Sequence, residues 1–141
     1  MNLQATSCFE GGNAHILDAR VDADGAVVVF AAQHKRGGPQ ACWFYFRVTG
    51  CEGPRLRCVL KNPSQTLGSV DHWSFNRPVY RVGAGPWTRT TDVRFAVNDH
   101  SVPEVEFSIP VPPGNAEPIE VAMCYPYLTG DLRGTLNNAR D

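Results

Sequence analysis

Lysine is almost missing from this chain of 141 residues, where two Lys stand against eleven Arg. That bias alone carries no functional conclusion. Charge is sparse as well, with 19% charged residues and a formal net charge of -1, which argues against the broad basic footprint that nucleic acid requires. No apolar run approaches the ~20 residues of a membrane-crossing helix. The opening MNLQATSCFEGGN lacks a basic start and an apolar stretch, so no secretory signal is expected and the protein reads as cytoplasmic. The five cysteines, Cys8, Cys42, Cys51, Cys58 and Cys124, are odd in number, scattered and without a C-x-x-C pair. Buried, reduced thiols are expected of them, rather than a disulfide framework or a cysteine zinc site.

Catalytic signatures are equally scarce. His15, His34, His72 and His100 form no H-x-x-H, H-x-x-x-H or H-x-x-E pattern. His100 and Glu104 are four apart, but Pro103 between them precludes a regular helix that would set both on one face. Asp71, His72 and Ser74 are nearly contiguous, whereas a catalytic triad is assembled from distant segments around an exposed nucleophile, and no G-x-S-x-G occurs. Gly83-Ala84-Gly85-Pro86 is a turn, because its proline removes an amide that a phosphate cradle would use. The residues supply no catalytic centre of their own.

What the chain does have is alternation. The length fits one domain, and at this size folding hides roughly 70% of the unfolded surface. In ACWFYFRVTG, Ala41–Gly50, strand spacing puts Cys42, Phe44, Phe46 and Val48 on one apolar face. Ala41, Trp43, Tyr45, Arg47 and Thr49 fall on an amphipathic one. Ala14–Arg20 is expected as a strand, and Asp24-Gly25 turns the chain into the apolar run Ala26–Ala32. Gly37-Gly38-Pro39 leads into the aromatic strand, and Gly50–Pro54 into a strand with Leu56, Cys58 and Leu60 inward. Residues 62–71 read as a polar loop. After it come Trp73, the run Arg77–Arg81, and alternation over Val93–Val97 and Val105–Ile109. Ile119–Tyr125 forms a last strand, with Ile119, Val121 and Met123 on one face. About nine short strands with no convincing helix between them predict an all-β, antiparallel sandwich over residues 1–127. In the tail, 128–141, Leu128, Leu132 and Leu136 recur at helical spacing, weakened by Gly130 and Gly134.

Surface chemistry is the remaining source of function. Trp43, Tyr45, Trp73, Tyr80, Trp87, Tyr125 and Tyr127 offer flat faces for sugar rings or peptides, or else fill the core and edges. Arg77 and Arg81 are either paired structurally or placed to fork a carboxylate.

The order of segments resembles one family. CWFYFRVTG is similar to the WFYFRV-G signature in the N-terminal domain of cytosolic carboxypeptidases. These are funnelin-type zinc carboxypeptidases, whose known members include protein deglutamylases. FEGGN at Phe9–Asn13 resembles the family's opening F-x-(S/G)-G-N, and LKN at Leu60–Asn62 its L-x-N strand end. Trp73, RPV at Arg77–Val79 and PW-T-R at Pro86–Arg89 follow the family's order. YPYLTGDL at Tyr125–Leu132 is similar to the segment preceding the catalytic domain, with Leu128 where a Thr is usual. The resemblance implies a β-sandwich N-domain that supports a catalytic carboxypeptidase domain in cis and shapes peptide access. Zinc is expected in that catalytic domain; none of its H-x-x-E, later His or general acid/base Glu matches a residue here, so no cofactor is assigned to this chain. Trp43, Tyr45, Arg47, Arg77, Arg81, Tyr125 and Tyr127 become candidates for the domain interface. A domain-facing apolar patch would let the isolated domain self-associate. The alternative is a stand-alone carbohydrate- or peptide-binding sandwich using Trp43, Tyr45, Trp73 or Trp87.

Overall fold

The computed structural model describes residues 2–33, 43–67 and 70–139. His34, the Gly37-Gly38-Pro39 turn, Ala41 and Cys42 lie outside them. Among the described residues, ten strands build two five-stranded sheets. One sheet contains β1 (Gln4–Thr6), β4 (Tyr45–Thr49), β10 (Ile119–Ala122), β6 (Val79–Val82) and β7 (Thr88–Arg89), in that spatial order. The other contains β2 (His15–Asp22), β3 (Gly25–Ala31), β5 (Arg55–Leu60), β9 (Pro103–Pro110) and β8 (Val93–Val97). The all-β sandwich is therefore as expected, with one refinement: β3 and β5 run parallel. Parallel neighbours need a crossover, and here β4, in the opposite sheet, lies on the path between them.

The core forms where the inward faces meet. Val28, Phe30, Leu56, Cys58, Leu60, Val105 and Ile109 come from one sheet, and Phe46, Val48, Ile119 and Val121 from the other; all are fully buried. Phe30 is central, with ring centroids 5.0 Å from Phe44 and 4.6 Å from Phe46. Burying each such ring contributes roughly 1.5–3 kcal/mol. Of the inward set read from alternation in the aromatic strand and in β5, Phe44, Phe46, Val48, Leu56, Cys58 and Leu60 are buried, and Cys42 lies outside the described residues.

The stretch read as a polar loop folds instead into two short helices, α1 (Pro63–Thr66) and α2 (Val70–Phe75). Neither is long enough to show a 3.6-residue apolar period. Proline opens α1, where its missing N–H costs nothing. Asn62 anchors the preceding strand end: its side chain accepts from the Ala32 N–H at 2.9 Å and donates to the Ala32 carbonyl at 2.8 Å. In α2, Trp73 is 1% exposed and donates its indole N–H to the Pro63 carbonyl at 3.3 Å. The tail forms α3 (Thr129–Asn138), none of whose described side chains is buried.

Candidate functional site

The amphipathic face of β4 lies on the outside of its sheet, and register decides what it meets. Glu120 on β10 is the cross-strand partner of both Arg47 on β4 and Arg81 on β6. One step along, Ala122 lies between Tyr45 and Val79. Side chains directly opposite on neighbouring strands share a face, so three strands present an Arg–Glu–Arg row beside a Tyr–Ala–Val row.

Glu120 is the hub of the first row, with its side chain only 5% exposed. Arg47 donates to Oε1 from Nε at 3.1 Å and from Nη2 at 2.7 Å. The Tyr45 hydroxyl donates to Oε2 at 3.1 Å, and Arg81 Nε donates to the same oxygen. Burial acts to push the Glu120 carboxyl up, but the hydrogen bonds from Arg47 and Arg81, with the Arg81 charge, outweigh it and hold the group below its ordinary range. Burial and the neighbouring Glu120 charge push the Tyr45 phenol up, so it stays a donor. A buried carboxylate paired and hydrogen-bonded this fully meets the condition for tolerable burial of charge.

The second row is the floor of a small second core. Tyr45, Val79 and Ala122 are buried together, with Phe9, Trp43, Trp87 and Leu128 packed over them. Tyr45 meets Phe9 edge-on at 4.8 Å, Trp87 at 5.9 Å and Trp43 at 6.1 Å. The Arg47 guanidinium lies 4.7 Å over the Phe9 ring and that of Arg81 5.0 Å over Trp87. Each cation therefore has its charge on Glu120 and its flat face on an aromatic ring.

The FEGGN segment roofs this core. Asn13 pairs its backbone with Tyr45 in both directions at 2.9 Å, and its side-chain amide donates to the Trp43 carbonyl at 2.8 Å. Trp43 in turn donates its indole N–H to the Gly11 carbonyl at 2.9 Å. Both glycines are sterically required. A Cβ on Gly12 would lie 2.1 Å from the Ser7 carbonyl oxygen, and Gly11 sits at φ +77 with Leu128 against it. The tail closes the other side: Glu10 accepts from the Thr129 N–H at 3.1 Å and Asp131 from the Leu128 N–H at 2.8 Å. Carboxylates at a helix start complement its dipole. A cleft of about 350 Å³ remains between Tyr45, Arg81 and Trp87 on one side and Pro126, Leu128 and Asp131 on the other.

The candidate residues thus separate. Trp43, Tyr45, Arg47 and Arg81 converge on the Glu120 row and its aromatic cover. Arg77 does not join them; it donates to the Thr91 carbonyl at 3.1 Å. Tyr125, 50% exposed, is covered on one face by the Arg89 guanidinium at 4.9 Å, and Tyr127, 62% exposed, donates to the Thr135 hydroxyl at 2.8 Å. As platforms for sugar rings, Tyr45 and Trp73 fail on burial, each being 1% exposed. Glu120 was not singled out in the sequence; its only signal there is a lone acidic residue inside the apolar run IEVAM. The charged groups of the arrangement are paired with one another and packed on aromatic rings.

Residues 5–121 match the family described as the cytosolic carboxypeptidase N-terminal domain. The chain belongs to this family. Similar solved structures include a metallo-carboxypeptidase from Burkholderia cenocepacia, 19% identical with a TM-score of 0.78 over the whole chain. A metallo-carboxypeptidase from Pseudomonas aeruginosa, in complex with (2-guanidinoethylmercapto)succinic acid, is 21% identical with a TM-score of 0.69 over 96% of the chain. The chain spans 34% and 33% of those two structures. An uncharacterized protein of Zymomonas mobilis subsp. mobilis is 33% identical over 66 residues, which are 47% of this chain and 16% of that protein. The family resemblance through CWFYFRVTG and FEGGN therefore stands, and in this N-terminal domain both segments build the Tyr45 core. Zinc does not fit the described residues, among which no three of His, Cys, Asp and Glu are gathered as a metal requires. No described helix is long and apolar enough to cross a membrane.

Proposed function

We propose that this domain is the non-catalytic N-terminal part of a cytoplasmic zinc metallo-carboxypeptidase, acting in cis on a catalytic domain that it supports and whose peptide access it shapes. In this reading the zinc and the hydrolytic step belong to the catalytic domain. The observation that carries the reading is the tail beside the Tyr45 core. Leu132 and Leu136 are 45% and 51% exposed on a helix with no buried side chain, alongside the half-exposed Tyr125 and Tyr127. Leu128 packs on the Tyr45 core, and the continuation of its stripe through the exposed Leu132 and Leu136 is what a neighbouring domain would bury. The Glu120 row and its aromatic cover hold that surface rigid while Arg47 and Arg81 keep exposed edges. A stand-alone sugar-binding module has less support, because Trp43 and Trp87 already spend their indole N–H or ring face within the domain.

The test is hydrogen exchange on the chain alone and on the same chain joined to a family catalytic domain. Slower exchange over Leu128–Asn138 in the joined protein is expected. Unchanged exchange there, with protection elsewhere or nowhere, would refute the assignment of this face.

A further inference from the structure

The free edge of β2 carries a self-complementary code. β2 is the terminal strand of its sheet, and its edge amides and carbonyls on the side away from β3 have no partner among the described residues. Exposed, unpaired strand edges are templates for another strand. Natural edges are blunted by charge, proline or a bulge; this one has no proline, a bulge at one end only, and in HILDARVD a charge of each sign at Asp18 and Arg20, two apart, with Leu17 and Val21 flanking them. Leu17 is 50% and Val21 64% exposed, and the Asp18 and Arg20 side chains are about half exposed, paired only with each other.

We infer that this edge pairs with the same edge of a second copy, antiparallel about a two-fold axis at Ala19, making one continuous ten-stranded sheet across two chains. In that register Asp18 of each copy faces Arg20 of the other, and Leu17 faces Val21. Directly opposite residues share a sheet face. The two charge pairs therefore lie together on the outer face, while Ala19 and Val21 of both copies, in register with Val28 and Ala26, lie on the inner one. A two-fold interface must present a patch complementary to itself, and among one-residue shifts only this register opposes unlike charges. A shift of one residue in the pairing sum would place Asp18 against Ala19 and flip the apolar residues to the charged face. The bulge between Ile16 and Asp18 ends the regular ladder, leaving Leu17 as a flanking apolar contact. So short a ladder makes a weak dimer, at the low end of interface sizes. The inference is independent of the catalytic-domain reading and uses the opposite sheet from the Glu120 row.

Sedimentation of the 141-residue chain up to ~1 mM tests it, at the weak-interface limit. Wild type is expected to dimerise at the upper end, less so at high salt. Asp18→Arg and Arg20→Asp, each at exposed positions, oppose like charges twice per interface and are expected to weaken the dimer by at least ~10-fold. Mixing those two variants restores unlike pairs in a heterodimer, and the double swap Asp18→Arg/Arg20→Asp restores the homodimer. A misfolded variant would do neither. A wild type that stays monomeric overturns the inference. So does association that survives both single reversals but is lost in Leu132→Ser, which would move the contact to the tail.

Discussion

Glu120→Gln isolates what the hub of the outer face contributes. The substitution keeps the side chain's shape and removes its charge. One oxygen becomes an NH₂ facing donors, so at least one of the bonds now made by Arg47, Arg81 or the Tyr45 hydroxyl is lost. Hydrogen bonds to a charged group are worth ~1.5–3 kcal/mol, and stranding a charge beside a lost buried partner reaches ~3–5 kcal/mol when all groups are buried. Here Glu120 is 5% exposed, but Arg47 is 39% and Arg81 32% exposed. Both cations recover part of their hydration, and the screened surface limit applies to their share. The expected net loss is therefore ~2–3 kcal/mol, read as a denaturant midpoint shift at unchanged slope. The pH dependence has a definite sign. The folded carboxyl lies below its ordinary value of 4.5, so its contribution is complete above that pH and is lost as pH falls through the folded value. Wild type and variant are thus expected to differ fully at pH 7 and to converge in acid. A loss under ~1 kcal/mol at pH 7, or a difference that persists undiminished into acid, would refute the assignment of Glu120 as a paired anion.

Two glycine substitutions are expected to act in opposite directions. Gly12→Ala drives a methyl to 2.1 Å from the Ser7 carbonyl oxygen and should cost ~2 kcal/mol or more, whereas Gly134→Ala meets nothing within 4 Å in α3 and should stabilise the helix by up to ~1 kcal/mol; thermal unfolding with amide exchange in α3 reads both. Among the described cysteines, burial pushes the Cys51 thiol up to about 11 and the Cys58 thiol well up, while Cys8 and Cys124 are exposed. Alkylation at pH 8 followed by peptide mass mapping should label Cys8 and Cys124 in the native state, and Cys51 and Cys58 only after denaturation.

The strands were legible wherever one face is wholly apolar. RLRCVL and the FYFRV stretch alternate so cleanly that Leu56, Cys58, Leu60, Phe44, Phe46 and Val48 could be placed inward from spacing alone, and all are buried. Short or weakly patterned elements escaped. β1 has three residues and β7 two, and α1 and α2 are shorter than two helical turns; none offers enough repeats for a period to emerge. Spacing left Trp73 open between a ligand platform and a core filler, and α2 turns it inward. The family motifs were legible as strings, but the reason for them was not. Gly12 is fixed by the Ser7 carbonyl and Asn62 by the backbone of Ala32, contacts that exist only once distant segments are packed.

The sequence alone determined the class of the protein: a β-sandwich with one apolar face per strand, an ordered set of cytosolic carboxypeptidase N-domain motifs, and a leucine stripe at helical spacing. These are local properties, written in side-chain period and residue order. It could not determine what the second face of ACWFYFRVTG touches. That was decided by register between β4, β10 and β6, which brings Arg47 and Arg81 onto Glu120 from 73 and 39 residues away. Pairing between strands so distant in the chain depends on how two sheets close over a common core, and no local pattern encodes it. Tyr45, which the sequence left open between a ligand platform and a core filler, is buried for the same reason. The outer face of its strand is roofed by Phe9, Trp87 and Leu128, residues from three other parts of the chain.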